Sequence, residues 1–352
     1  MESTQRNPEA QRPLRFAAVG AGFWQNYQLA AWGEITGVQC VAVVDRDIAL
    51  ARNLALRLGI VHARDDLAAA IDELKPDFVD IVTTPETHEG LVKLAAQLGV
   101  AAICQKPLAP ELAAAREMVE TCNRASTPLA VHENWRWQTP IQALKAALDR
   151  GEVGEIFRGR IEYNNSFPVF DNQPNLKQLP RFILSDMGPH LFDLVRFLFG
   201  DVAYVYCQAD RTREDIRGED VASTLLRTTD GISVGCDMSY SSRLERDRFP
   251  ETRVTIEGTR GTLTLEDDFW VCQTTATGTV RRRHPPPHYP WADPRYAVAH
   301  SSMVACHQDM ADSIRERRPA QTSGEDNLKT LAIIEAAYLS AQRGQAVGTD
   351  EV

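Results

Sequence analysis

Several common features are scarce in this 352-residue chain. Its seven cysteines are scattered, odd in number and without a C-x-x-C pair. That pattern excludes a disulfide framework and the spacing of a zinc site, so no metal is expected and a reducing compartment is. Cys40, Cys104, Cys207 and Cys236 stand in apolar, strand-like surroundings and read as small buried hydrophobes. No stretch approaches the roughly 18 apolar residues of a membrane span. The start "MESTQRNPEAQRPLR" is polar and lacks an apolar signal core. A soluble, cytoplasmic protein with no membrane partner is expected, disordered over residues 1–13. Positive charge is also short, with 38 Lys and Arg against 48 Asp and Glu, net -10. A long nucleic-acid groove needs the opposite balance. The one basic run, Arg281 to Arg283, is followed by His284 and three prolines and reads as an exposed loop.

Hydrophobic residues make up 43% of the chain, enough for two cores. The first third alternates short apolar runs with helical patterns. "LRFAAVG", "CVAVVD", "DFVDIVTTP", "VAAIC" and "PLAVH" have the composition of strands buried on both faces. Between them lie helical stretches at about 24–35, 47–59, 65–74, 87–99 and 110–123, the second stopped by Gly59. This is the signature of a doubly wound parallel sheet, a Rossmann domain over 14–133. Beyond it, after a helix near 141–149, the segments 155–164, 202–211, 221–227, 232–240, 253–256, 261–265 and 269–275 mostly alternate apolar and polar residues. They predict a second α/β domain, 134–352, with a large open, mainly antiparallel sheet. Two helices, about 301–317 and 325–343, close the chain.

"VGAGFWQN" places Gly20 and Gly22 at the end of the first strand, with Phe23 and Trp24 following. Gly20 permits a tight turn, and Gly22 lets a diphosphate approach the N-terminus of the next helix. Gln25 stands where the usual fingerprint has a third glycine. The second strand ends in Asp45, whose carboxylate suits the two ribose hydroxyls of NAD and repels a 2′-phosphate. Arg46 softens that preference, so NADP is the lesser expectation. Thr83, Thr84, Pro85 and His88 of "TTPETH" belong to the crevice at the carboxyl edge of the sheet, on the nicotinamide side. Gln105 and Lys106 of "ICQKPLAP" follow a later strand at the same edge. An ammonium there can hold a substrate hydroxyl and stabilise a developing alkoxide. In "LSDMGPHLFDLVRFLFG", Ser185 or Asp186 suits an N-cap and Pro189 a first turn. Asp186, His190 and Asp193 share one helix face. A neutral imidazole in a first turn is a ready general base, and Asp186 can orient it or grip a hydroxyl.

This ordered set, with G-x-G, T-x-P-x-x-H, K-P and D-x-G-x-H-x-x-D, resembles the Gfo/Idh/MocA oxidoreductases over nearly the whole chain. The closing "TSGEDNLKTLAIIEAAYLSAQRGQAV" is similar to the family's last helix. The resemblance implies hydride transfer between a sugar and NAD, a homodimer or homotetramer formed through the open sheet, and Lys106, Asp186 and His190 at the sugar, with His190 the base. "HENWRWQ" resembles the segment just past the domain junction. There Arg136 would donate to sugar hydroxyls, while Trp135 and Trp137 either stack on a sugar face or pack the junction. The family usually has glutamate where Gln105 stands, which removes a possible charge partner of Lys106. The stretch "RFAAVGAGFWQNYQLAAW" resembles members acting on a branched pentose, which implies anomeric oxidation to a lactone. Two alternatives remain open: oxidation of a non-anomeric hydroxyl, such as C3 of a glycoside or an inositol hydroxyl, or a dinucleotide-binding sensor without catalysis.

Overall fold

Strands covered on both faces need continuous apolar side chains, and the first part of the chain supplies them. The computed structural model describes residues 12–245 and 249–352. Residues 1–11 of the expected disordered start lie outside that range. Strands β1 (Leu14–Val19), β2 (Val38–Val44), β3 (His62–Arg64), β4 (Phe78–Ile81), β5 (Ala101–Gln105) and β6 (Leu129–His132) form one sheet, ordered β3-β2-β1-β4-β5-β6. Every pairing in it is parallel. The crossovers carry α1 (Phe23–Trp32), α2 (Ile48–Leu58), α3 (Leu67–Leu74), α4 (Pro85–Gln97) and α5 (Leu112–Ala125). Local chemistry sets their ends. Asp47 and Asp66 accept the N–H groups of Ala49 and Ala69 at the starts of α2 and α3. Gly59 closes α2 at a φ of 68°. Strand order reverses between β1 and β4, so the carboxyl ends of those two strands flank the crevice in which such sheets bind ligands.

The chain divides into two compact units, Met1–His132 with Met303–Leu328, and Glu133–Ser302 with Lys329–Val352. The first unit thus takes a late segment that sequence patterning assigned to the second. Side chains and backbone account for it. Val131 donates its N–H to Thr322 and Ala130 bridges Ser323. His307 stacks on Trp32 with ring centroids 3.9 Å apart, and Arg315 donates to the carbonyls of Thr36 and Gly37.

In the second unit α6 (Thr139–Asp149), β7 (Ile156–Asn164), α7 (Val169–Asn172), α8 (Ile183–Asp186) and α9 (Gly188–Phe199) precede β8 (Val202–Asp210), β9 (Val221–Thr228) and β10 (Ser233–Ser239). Strands β11 (Arg253–Gly258), β12 (Gly261–Glu266), β13 (Trp270–Thr275) and β14 (Gly278–Arg283) follow, then α10 (Ala297–Glu316), α11 (Gly324–Arg343) and β15 (Val347–Gly348). Helices α10 and α11 each run across the division between units. The sheet order is β14-β13-β12-β11-β7-β10-β9-β8-β15. Its pairings are antiparallel except β7 with β10. Helix α9 covers one face closely. A Cβ on Gly159 of β7 would lie 2.3 Å from the Phe199 ring, so only glycine fits. The other face exposes Phe157, Tyr204, Tyr206 and Leu225. The basic run is not a loop. It forms the edge strand β14, where Arg281 and Arg283 pair with Glu266 and Asp268, and charged side chains suit an edge. Among the described residues no helix is long and apolar enough to cross a membrane.

Candidate functional site

At the carboxyl edge of the first unit's sheet, glycine is required by geometry. Gly20 has a φ of 100°, and a Cβ there would lie 2.2 Å from the Val82 carbonyl oxygen. Gly22 caps α1 in extended conformation with no side-chain cap, and its missing Cβ faces open space. The helix N-terminus therefore presents N–H groups toward a volume that a phosphate can fill. Asp45, at the end of β2, accepts the N–H groups of Ala21 (2.8 Å) and Asp47 (2.9 Å). These two bonds lock the carboxylate beside the glycine turn, and further lone pairs on its oxygens can take ribose hydroxyls. Arg46 is exposed next to it. Phe23 and Trp24 occupy the first turn of α1 and meet edge to face, with Phe23 partly exposed. These residues fit a dinucleotide.

Thr84 caps α4 and Pro85 is its first residue, while the Thr83 hydroxyl meets that of Thr87 at 2.7 Å. His88 departs from its expected place at the cofactor. Its ring is fully buried, with Nδ1 at 3.0 Å from the Pro107 carbonyl and Nε2 at 3.2 Å from that of Thr83. Burial lowers its pKa and keeps it neutral. A neutral ring has one N–H and so donates to one of these carbonyls, while packing between the loop after β4 and the loop after Lys106. Gln105 accepts the Lys106 N–H and donates to Gln28.

In the second unit the helix expected over 184–200 is two pieces. Asp186 ends the single turn α8, and Met187 leads into α9 without a side-chain cap. Neither expected cap forms. Ser185 meets the Tyr338 hydroxyl, and Asp186 accepts the Tyr240 hydroxyl at 3.3 Å. Burial, with Tyr163 and Asp186 nearby, holds the Tyr240 phenol well above its ordinary pKa, so it stays a donor. His190 is buried, stacked on Trp135 at 4.4 Å between centroids, and its Nδ1 lies 2.7 Å from Oε1 of Glu133. That same oxygen accepts the Trp135 N–H at 3.1 Å. Against an ionised carboxylate, which only accepts, Nδ1 is the donor, and Nε2 is the ring's second nitrogen.

Arg136 and Asp193 leave the expected constellation. They form a buried bidentate pair, and the guanidinium lies over the Trp137 and Phe197 rings. A guanidinium buried and paired in this way serves packing, in place of the contact with sugar expected of Arg136 as its main role. The position of Asp193 one helical turn beyond His190 is therefore structural. Glu133 was overlooked in sequence, although a carboxylate directly after a buried strand and before "NWRW" is a visible anomaly. Tyr240 gave no signal, because an aromatic residue at a strand end is ordinary core.

Comparison with known proteins agrees with both halves. Residues 14–133 match an oxidoreductase family with an NAD-binding Rossmann fold, and residues 141–264 match the GFO/IDH/MocA C-terminal domain. A D-apiose dehydrogenase of Paraburkholderia graminis is 44% identical over 331 residues, covering 94% of this chain and 88% of its own. One from Rhizobium rhizogenes is 41% identical over 334 residues, covering 95% and 97%. An oxidoreductase of Agrobacterium radiobacter, solved in complex with NAD+, L-tartaric acid and magnesium, superposes with a TM-score of 0.94 at 40% identity, covering 96% of this chain and 99% of that one. With its glycine turn and both of its domains matched, the chain belongs to the Gfo/Idh/MocA oxidoreductases, with an NAD-binding Rossmann domain at its N-terminus.

Proposed function

We propose that this enzyme is an NAD-dependent sugar dehydrogenase that oxidises D-apiose, or a pentose like it, at the anomeric carbon to a lactone. The observation that carries the catalytic reading is the buried hydrogen bond between Glu133 and Nδ1 of His190. It fixes the tautomer in which Nε2 takes a proton. The D-apiose dehydrogenases of similar sequence supply the substrate.

NAD, when bound, accepts the hydride from the sugar carbon. The chain's own groups manage the proton. Nε2 of His190 removes it from the anomeric hydroxyl, and Glu133 stabilises the imidazolium that forms. The Lys106 ammonium favours the alkoxide as the C–H bond breaks. Asp186, held by the Tyr240 hydroxyl, accepts a hydrogen bond from a sugar hydroxyl. Asp45 favours NAD over NADP because a 2′-phosphate would meet a carboxylate already locked in place.

The enzyme is proposed to act in the cytoplasm as a homo-oligomer. Supporting this are the thiols of all seven cysteines, unbridged, and the apolar side chains on the open sheet face. Incubation of D-apiose, other pentoses, hexoses and inositols with NAD or NADP tests the reading through nicotinamide absorbance and product analysis. A lactone that hydrolyses to an acid is expected from D-apiose. A keto sugar product, or no reduction of NAD with any pentose, would overturn it.

A further inference from the structure

Asp80 is the one charged residue in the middle of β4, and it is fully buried. Its oxygens take two donors. Gln28 Nε2 donates to one at 2.7 Å, and the Trp32 indole N–H to the other at 3.0 Å. The Gln28 carbonyl in turn accepts from Nε2 of Gln105 at 3.0 Å, and the Gln105 carbonyl accepts the backbone N–H of Lys106 at 2.8 Å. This row of bonds has a forced direction. A backbone N–H can only donate, so the Gln105 carbonyl must face it. The Gln105 amide NH2 then faces Gln28, whose own NH2 is left facing Asp80. No amide orientation in the row is arbitrary. The indole donor closes the far end, so both Asp80 oxygens accept, the arrangement that suits an ionised carboxylate.

We infer that Asp80 and Gln105 are matched ends of one polar relay, and that both are positioning residues for the main chain of Lys106. The inference rests on Lys106 acting at the sugar. It also explains why an amide stands beside that lysine. A carboxylate at 105 would accept the Lys106 N–H equally well but has no hydrogen for the Gln28 carbonyl. Gln28 would have to turn over, and its carbonyl would then require a proton on Asp80.

Groups facing the relay come from several elements. Gln25, Gln28 and Trp32 face Asp80 from α1, Cys40 from β2 and Cys104 from β5. His132 of β6 lies 3.5 Å from the Gln105 amide, and His307, kept neutral by burial, stacks on Trp32. Burial raises the Asp80 carboxyl to about 7, against the pull of its donors. The proton needed after reversal is therefore accessible near neutral pH.

Three variants test the relay: Gln105→Glu, Asp80→Asn, and the two combined. Asp80→Asn leaves one junction with two donors, and Gln105→Glu leaves one with two acceptors that is relieved only by reversing Gln28 and protonating Asp80; each is worth about 5- to 30-fold in kcat above neutral pH at an unchanged KM for NAD. The double variant is complementary. The amide introduced on β4 accepts the indole N–H and donates to a reversed Gln28, which in turn donates to the carboxylate introduced at the end of β5. Its kcat should return to within about threefold of the native value. Infrared difference spectra provide a readout independent of turnover. At a pH about one unit above neutral, Gln105→Glu should show a protonated carboxyl band that the double variant lacks. Absence of that band overturns the relay. The band appearing with unchanged kcat would overturn the positioning role, and a double variant as slow as the product of the singles would do the same. Lys106→Met separates the underlying reading, since full turnover in that variant removes Lys106 from catalysis whatever the infrared result.

Discussion

Glu133→Gln is the most informative single change in the proton-transfer half. Oε1 of Glu133 receives two donors, the His190 ring and the Trp135 N–H. A glutamine must therefore keep its carbonyl oxygen in that place, and the imidazole keeps its tautomer and its stacking on Trp135. The charge is lost, and Oε2 is replaced by an amide NH2. A hydrogen bond to a charged partner contributes about 1.5–3 kcal/mol and a neutral one about 1 kcal/mol. The difference, about 0.5–2 kcal/mol, is felt when the ring becomes cationic on taking the sugar proton. At about 1.4 kcal/mol per decade this is a roughly 2- to 30-fold fall in kcat, with KM for NAD unchanged. Initial rates of NADH formation at saturating sugar measure it. His190→Ala alone should cost about 100-fold or more, and adding Glu133→Gln to it should cost nothing further, because the group that Glu133 serves is gone. An unchanged kcat in Glu133→Gln would refute the argument. So would an equal loss in the His190→Ala background.

Other consequences are open to measurement. Asp45→Ala should weaken NAD binding and bring the NAD and NADP kcat/KM values together, since it removes the ribose acceptor and the repulsion of a 2′-phosphate; steady-state kinetics with both cofactors decide it. Gly20→Ala forces a side chain into a φ of 100° against the Val82 carbonyl, costing about 1–3 kcal/mol from backbone conformation alone; urea unfolding and NAD titration should both register the loss. The Asp80 carboxyl titrates at about 7 in the native protein and at about 3.9 when unfolded. The native state thus holds a proton that the unfolded chain has released between those values. Stability should fall as pH rises through that window, by at most about 1.4 kcal/mol per unit, and level off above it. Urea midpoints across the range should show this slope, and Asp80→Asn should flatten it. Arg136→Met should leave Asp193 buried without its cation and cost about 3–5 kcal/mol, a loss of stability rather than of sugar affinity.

The Rossmann half was legible because its signals are local. Apolar runs, capping aspartates and Gly59 each act within a few residues, and the glycine turn announces itself through the residue types it needs. The antiparallel strands were legible from their alternation. Strand β14 was not, because an edge strand exposed throughout has no apolar period to read. The late segment Met303–Leu328 was missed for a different reason: its allegiance is set by contacts such as Trp32 with His307, about 275 residues apart in sequence. The catalytic candidates divide in the same way. Spacing singled out His190 and Asp186 as candidates, but it placed Asp193 beside them equally well. Only the buried guanidinium of Arg136 distinguishes it. Asp80 was visible as an acid inside "FVDIV", though its purpose depends on three side chains from other elements.

The pairing of Val131 with Thr322 bears on how the polypeptide is made. The coenzyme half begins at the N-terminus, yet its β6 margin is finished by residues that leave the ribosome nearly two hundred positions later. Until they emerge, a hydrophobic strand edge waits uncovered, so a nascent chain halted before Met303 should be an easy target for proteases and chaperones. Anyone isolating that half for ligand studies would do better to splice 12–132 to 303–328 than to stop at the end of β6.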